Sequence, residues 1–301
     1  MQRCLLARAA LVLSCLTSIT LVEGRAQIVN PADKQRPPEE PASELEPGEF
    51  DQIGTTVVSA RRVSDLREED RIGPYGQPAW TAHRRFPSTR VYVRPPGSFG
   101  FEYWSRPTIP RHGPTKVQTQ YEFEIGLPHR FQVDLYLVNN SEGSDGPSEF
   151  NEHKFEVRHA LADWGKLWGN PTVYVEYANN DVEADGLELK LLLGDELRPS
   201  WHWGTNLVFE RQLGDDLENV YELTAGVSHT LSDEEFSLGA ELKTSIADVH
   251  DDRGDFSEEL LVGPSLQYRP TRNIHLDLAP LVGIGSDSPD AQIYFVLGYD
   301  F

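Results

Sequence analysis

Cysteine is nearly missing from this 301-residue chain: there are two, Cys4 and Cys15, both close to the N-terminus. A disulfide framework is therefore excluded for everything that follows them. Long apolar runs are missing too. Beyond the stretch at 9–22, no segment approaches the roughly 18 consecutive apolar residues of a membrane-spanning helix, which excludes a helical membrane protein. Positive charge is scarce, with 27 Lys+Arg against 48 Asp+Glu and a net charge of −21. Such a surface repels phosphate backbones, so nucleic acid is excluded as a partner. The nine histidines are scattered, without a His-Glu-x-x-His or other metal-ligand spacing, and no cofactor is expected.

What is present divides by composition. Residues 1–26 carry Arg3 and Arg8 ahead of the apolar run and end in Gly24-Arg25-Ala26, which reads as a secretory signal peptide cut after Ala26. Val12-Leu13-Ser14-Cys15 is similar to a lipoprotein cleavage box, but the apolar run continues past it to Val22. Without the signal the net charge becomes about −23. Residues 27–49 are rich in Pro and Glu and too poor in apolar groups to order themselves, so they read as a disordered linker. Residues 50–96 reverse the sign: eight Arg stand against five acids. The whole of 27–96 is expected as a linker and basic periplasmic extension. Its basic part is expected either to fold back and pair with the lumen or periplasmic rim of an acidic barrel formed by the rest of the chain, or to be a solvated arm near anionic lipid headgroups. Within it, Thr55-Thr56-Val57-Val58-Ser59-Ala60-Arg61-Arg62 resembles the start of the plug domain in TonB-dependent receptors. The likeness is confined to that short element, since the remaining chain is far too short for their large barrel.

From residue 98 onward, alternating runs are broken by turn residues. Twelve are counted, at 98–106, 116–127, 129–139, 150–162, 172–180, 187–195, 200–213, 219–231, 235–247, 258–268, 272–285 and 291–301, with ten or fourteen as neighbouring counts. Successive side chains of a strand point to opposite faces, so each run has an apolar and a polar face. Phe131, Val133, Leu135 and Leu137, for example, alternate with Gln132, Asp134 and Tyr136. Each run is about long enough for a tilted strand to cross a bilayer. Links after even-numbered runs are mostly tight, as at Pro128-His129-Arg130, whereas those after odd-numbered runs include the long acidic stretches 140–149 and 248–257. Residues 163–171 form a longer even-numbered exception. Tyr103, Trp104, Trp164, Trp168, Trp201, Trp203 and Tyr268 suit aromatic girdles. Together these features predict an all-β, antiparallel up-and-down transmembrane β-barrel over 97–301.

The polar phase names the candidate lumen residues: Glu122, Glu124, Asp134, Glu156, Arg158, Glu188, Lys190, Glu241, Lys243 and Asp277. Such a lumen is acid-biased and would favour cations by its field; the same charges could instead pair with one another and close it. The acidic stretch 248–255 invites a calcium reading, but Arg253 sits inside it and the EF-hand spacing is missing. A lipid hydrolase would need a Ser and a His base meeting on the outer wall. Ser228 and His229 are neighbours in one run and so point to opposite faces. The chain is not expected to be an enzyme.

The last run, AQIYFVLGYDF, places Ile293, Phe295, Leu297, Tyr299 and Phe301 on one face and turns Gln292 and Asp300 inward. It resembles the closing strand of bacterial outer-membrane barrels, in which the terminal Phe and an aromatic two residues earlier form the assembly signal. That resemblance gives Tyr299 and Phe301 this role. It implies an outer-membrane location, with lipid, lipopolysaccharide and the barrel-assembly machinery as partners. The layout of roughly 94–301 also resembles the family of outer-membrane transporters associated with the meta-pathway of phenol degradation. That likeness implies a channel for passive uptake of small solutes, hydrophobic ones among them, while the acid-biased lumen adds cationic ones. The alternative is a structural or surface-interaction barrel with a closed lumen.

Overall fold

A computed structural model describes residues 67–143, 150–181, 184–214, 218–232, 235–249, 254 and 256–301, all within one compact unit, Ser59–Phe301. The signal peptide, the linker and the Thr55–Arg62 element lie outside the described residues, as does most of the acidic stretch proposed for calcium.

Twelve antiparallel strands form a closed barrel. They are β3 (Phe99–Ile109), β4 (Lys116–Leu127), β5 (Phe131–Glu142), β6 (Glu152–Ala160), β7 (Thr172–Asn180) and β8 (Asp185–Arg198). The ring continues through β9 (Trp201–Leu213), β10 (Glu218–Ser232), β11 (Phe236–Val249), β12 (Ser257–Tyr268), β13 (Ile274–Gly283) and β14 (Ala291–Asp300). The expected runs fall on these strands one for one. Consecutive strands pair throughout, and β14 closes on β3 from Ala291↔Ile109 to Asp300↔Gly100. Closure leaves no unpaired sheet edge, the condition for a sheet to sit in lipid.

The alternation fixes inside and outside. Phe123, Leu135, Phe155, Val175, Leu189, Phe295 and Leu297 project outward and are exposed, whereas Gln132, Asp134, Glu156 and Glu176 on the opposite phase are buried. An apolar outer face around a polar interior is the inverse of a soluble protein and suits a bilayer. In β14, Gln292 and Asp300 turn inward as expected, joined by Tyr294 and Val296.

The interior is not empty. Residues 67–98 enter at the barrel end that carries the tight turns; Arg67, Glu69, Arg71, Gly73, Pro74 and Gly76 are exposed at that mouth, and residues 77–94 fill that half of the lumen. This plug begins with a hairpin of β1 (Arg71–Ile72) and β2 (Gln77–Pro78), then a 3₁₀ turn at Ala79–Ala82, then irregular chain. The hairpin forms a separate two-stranded sheet, so no strand of the plug joins the barrel ladder. Trp80, Phe86, Val91, Tyr92 and Val93 are buried with Ala160 and Trp164. Over 77–94, therefore, part of the segment expected as a periplasmic extension is packed inside the barrel, the fold-back alternative for its basic part.

The plug also accounts for the long link at 161–171. Trp164 donates its backbone N–H to the Tyr75 carbonyl at 3.0 Å and stands edge-on to Trp80 and Tyr92. The Tyr92 hydroxyl donates to the Ala162 carbonyl at 2.7 Å. Two girdle expectations are corrected here. Trp164 caps the plug, and Trp104, on the even, inward phase of β3, lies inside the lumen. Trp168, by contrast, is 78% exposed on the outer surface.

Candidate functional site: a plugged lumen

The plug is held mainly by side chains of the wall. Buried backbone N–H and C=O groups need partners, and outside a ladder they must find them individually. Asn206 supplies two: its side-chain carbonyl accepts the Arg90 N–H at 2.9 Å, and its amide donates to the Arg90 carbonyl at 2.6 Å. Gln132 accepts the Arg94 N–H at 2.7 Å, and Glu241 accepts the Ser88 N–H at 2.8 Å.

Three arginines of the plug meet carboxylates of the wall. Arg84 lies 3.9 Å from the centre of the Trp104 ring and donates to Glu102, from Nε and Nη2 to Oε2 at 3.0 and 2.7 Å and from Nε to Oε1 at 3.3 Å. Arg90 contacts Glu122 closely and reaches Glu124 at 3.1 Å. Arg94 bridges Glu124 at 2.8 Å and Asp300 at 2.7 Å. The wall also arranges these acids itself: the Trp104 indole donates to Glu102 and Glu122 at 3.1 and 3.0 Å, and the Tyr136 hydroxyl to Glu122 at 2.9 Å. Carboxylate oxygens of Glu102, Glu122 and Glu124 lie within 4.8 Å of one another, as do those of Glu122, Asp134 and Glu156, a spacing a cation would accept. Arg84, Arg90, Arg94 and Arg158 already answer that charge. Beside them, burial pushes the His83 imidazole down to about 3, with Arg269 and Arg94 adding to the effect and Asp300, its hydrogen-bond partner at 2.8 Å, opposing it.

Where the plug is apolar, the wall is bare. Gly194, Gly204 and Gly226 are consecutive cross-strand partners on the inner phase of β8, β9 and β10. A Cβ on Gly194 would stand 2.5 Å from Val91, and one on Gly226 would stand 2.5 Å from Phe86. The row is a backbone-floored seat for two plug side chains, which strands otherwise gain nothing by leaving empty.

Above the plug, the other half of the lumen is a cavity of about 630 Å³, with Arg84, Arg90 and Trp104 among its lining residues. Two crevices flanking the plug measure about 20 and 10 Å³, each room for about one water. Of the sequence-predicted lumen residues, Glu122, Glu156, Glu188, Lys190 and Lys243 line the cavity. Glu124, Asp134, Arg158, Glu241 and Asp277 lie buried at the level of the plug: Glu241 binds Ser88, and Asp277 pairs with His275 at 2.6 Å. The expected acid bias is offset, since eight acidic and seven basic side chains line the cavity. Arg106, Tyr136 and Tyr174 were not among the candidates, although the alternation that marks Glu102 also turns Arg106 inward.

The acids are also ordered. Glu124, Asp134, Glu156, Glu176, Glu188 and Glu210 are direct cross-strand partners in succession from β4 to β9. Like charges directly opposite are destabilising, so this carboxylate ladder needs cations beside it. Arg158 serves Asp134 at 2.6 Å and Glu156, Lys154 serves Glu176 at 3.1 Å, and Lys190 serves Glu188 at 2.7 Å. Ser228 points inward while His229 lies outward against Trp201, so the two do not meet.

A closed antiparallel barrel with an apolar outer face and a polar lumen defines the class as a transmembrane β-barrel of the outer-membrane type. No family model matches the sequence, and no curated protein matches it. Its fold is similar to that of an outer-membrane channel from Pseudomonas putida F1, with a TM-score of 0.50 and 9% identity over 70% of this chain and 98% of that one. The NanC porin gives 0.46 and 14% identity over 67% and 98% of the two chains. The KdgM porin, solved in complex with disordered oligogalacturonate, gives 0.43 and 10% over 68% and 98%. At these identities the likeness is one of fold.

Proposed function

We propose that the protein is an outer-membrane channel for passive passage of small polar molecules, closed by its own N-terminal segment. The observation that carries this reading is the division of the lumen: a charge-lined cavity of about 630 Å³ in one half and a plug, outside the barrel ladder, in the other. A wall of paired charges and amides favours polar solutes over the hydrophobic ones that the family resemblance implies. The tight crevices beside the plug favour the second reading, a permanently closed structural barrel.

Single-channel recording in planar bilayers separates the two. The full chain is expected to be silent or to open rarely. A form lacking residues 27–96, and a full-length Arg84→Gln/Arg90→Gln variant, are expected to give discrete conductance steps. Silence in all three, with each barrel shown to be folded, would sink the channel reading and leave the closed barrel.

A further inference from the structure

Resting on the channel reading, the cavity above the plug also carries information about its solute. The barrel ring places β9 and β3 six strands apart in either direction, so side chains on their inner phases face each other across the lumen. Glu210 on β9 is the last rung of the carboxylate ladder and the one rung without an ion-pair partner among the described residues. It is exposed to the cavity. Arg106 on β3 lines the opposite wall. Its guanidinium lies 5.9 Å from the Tyr294 ring and likewise forms no ion pair among the described residues. It hydrogen-bonds the Tyr294 side chain, and Glu222 and Glu210 are the carboxylates whose fields reach it. Glu222 is already committed to Lys243 at 2.8 Å.

The charges of the cavity are thus segregated. The arc from β6 to β9 presents five carboxylates and two lysines, whereas Arg106 is the single charged lining residue on the facing arc from β12 to β3. An acid and a base without ion-pair partners among the described residues, on opposite walls of a ligand-sized space, complement a solute that carries both charges itself. We infer that Glu210 and Arg106 are the two poles of a binding site for a small zwitterion of the α-amino-acid type. Its ammonium group lies toward Glu210, and its carboxylate accepts from the Arg106 guanidinium. A neutral sugar would leave both poles unanswered, and a simple ion would satisfy one and be repelled by the other.

The test is calorimetric titration of the purified full-length protein at one ionic strength. The four probes are L-glutamine (zwitterion), putrescine (dication), succinate (dianion) and glucose (neutral). Glutamine is expected to bind saturably and at least about tenfold more tightly than the other three, the difference that one charged hydrogen bond supplies. Arg106→Gln should weaken glutamine by about tenfold and turn the preference to putrescine, and Glu210→Gln should turn it to succinate. The exchange Arg106→Glu/Glu210→Arg, which keeps the charge balance, should retain glutamine and guards against a single variant that does not fold. Glutamine binding no tighter than glucose, or variants indistinguishable from the parent, would overturn the assignment. Binding without conductance in any plug-opening variant would instead remove the channel reading and leave the site. Conductance without glutamine binding would do the reverse.

Discussion

Phe86 of the plug packs onto the bare backbone of Gly226: a β-carbon at that glycine would stand 2.5 Å from the Phe86 Cδ1. Phe86 is fully buried, and burial of such a ring contributes about 1.5–3 kcal/mol. Gly226→Leu should expel it. The strand itself loses nothing, because glycine is a weak strand former, so the barrel should fold while the plug lets go. Limited trypsin digestion is expected to cut after Arg84 or Arg85 in the variant, and to spare both in the parent, where they are buried. Equal protection of the two would show that the glycine row is not the seat.

Breaking one plug ion pair should cost more than removing both partners. Arg90→Ala takes from Glu122 its closest guanidinium, leaving Arg84 at 3.4 Å and Arg158 at 3.8 Å, while Glu124 keeps Arg94. The loss should stay below the cost of a fully uncompensated buried charge, about 3–5 kcal/mol. Arg90→Ala/Glu122→Gln should recover part of that loss. The measurement is the denaturant concentration at which the plug becomes cleavable. Read from alternation alone, Glu122 and Glu124 are selectivity residues, and reversing their charge should lower cation preference. Their position against Arg90 and Arg94 changes that expectation: Glu122→Lys/Glu124→Lys should unseat the plug first and raise conductance, with any change in selectivity seen only in the opened barrel.

Acid should loosen the plug through His83. Seated, its imidazole titrates near 3 because it is buried beside Arg269 and Arg94, against the pull of Asp300; released into water it returns to about 6.5. Between those values the released state binds more protons. Seating is therefore fully favoured above about pH 6.5 and weakens as pH falls toward 3. This group alone gives a slope of at most about 1.4 kcal/mol per pH unit. His83→Asn should flatten the pH dependence of plug cleavage within that window. An unchanged slope would remove His83 from it.

The barrel was legible because its information is local. Alternation in Phe131–Asp134 or Ile293–Asp300 states both the strand and the face, and lipid outside with charge inside leaves no other phase available. The plug was legible only as a sign, eight arginines beside an acidic remainder. Its seat depends on contacts between residues far apart in the chain, Arg84 with Glu102, Val91 with Gly194 and Phe86 with Gly226, which no local period announces. Two signals were nevertheless present. Gly194, Gly204 and Gly226 occupy the inward phase of three successive strands, where side chains would ordinarily fill the lumen. Trp104 shares the even phase of Glu102, which should have removed it from the girdle.

Phe301 separates assembly from stability. Its side chain is 77% exposed on the outer face and stands edge-on to Tyr299, 4.9 Å between ring centres. Its backbone N–H donates to the Phe99 carbonyl at 3.0 Å, at the seam where β14 closes on β3. Phe301→Ala keeps that hydrogen bond and removes only exposed apolar surface, so barrel stability should change by less than about 1 kcal/mol. If the aromatic pair is an assembly signal, accumulation in the outer membrane should nevertheless fall several-fold, while the purified variant refolds into detergent micelles as well as the parent. Comparing the yield of heat-modifiable barrel from cells and from micelles distinguishes the two effects. A matching drop in both would place Phe301 in the closing seam as a stability residue, and no drop in either would leave the terminal aromatics as ordinary lipid-facing side chains.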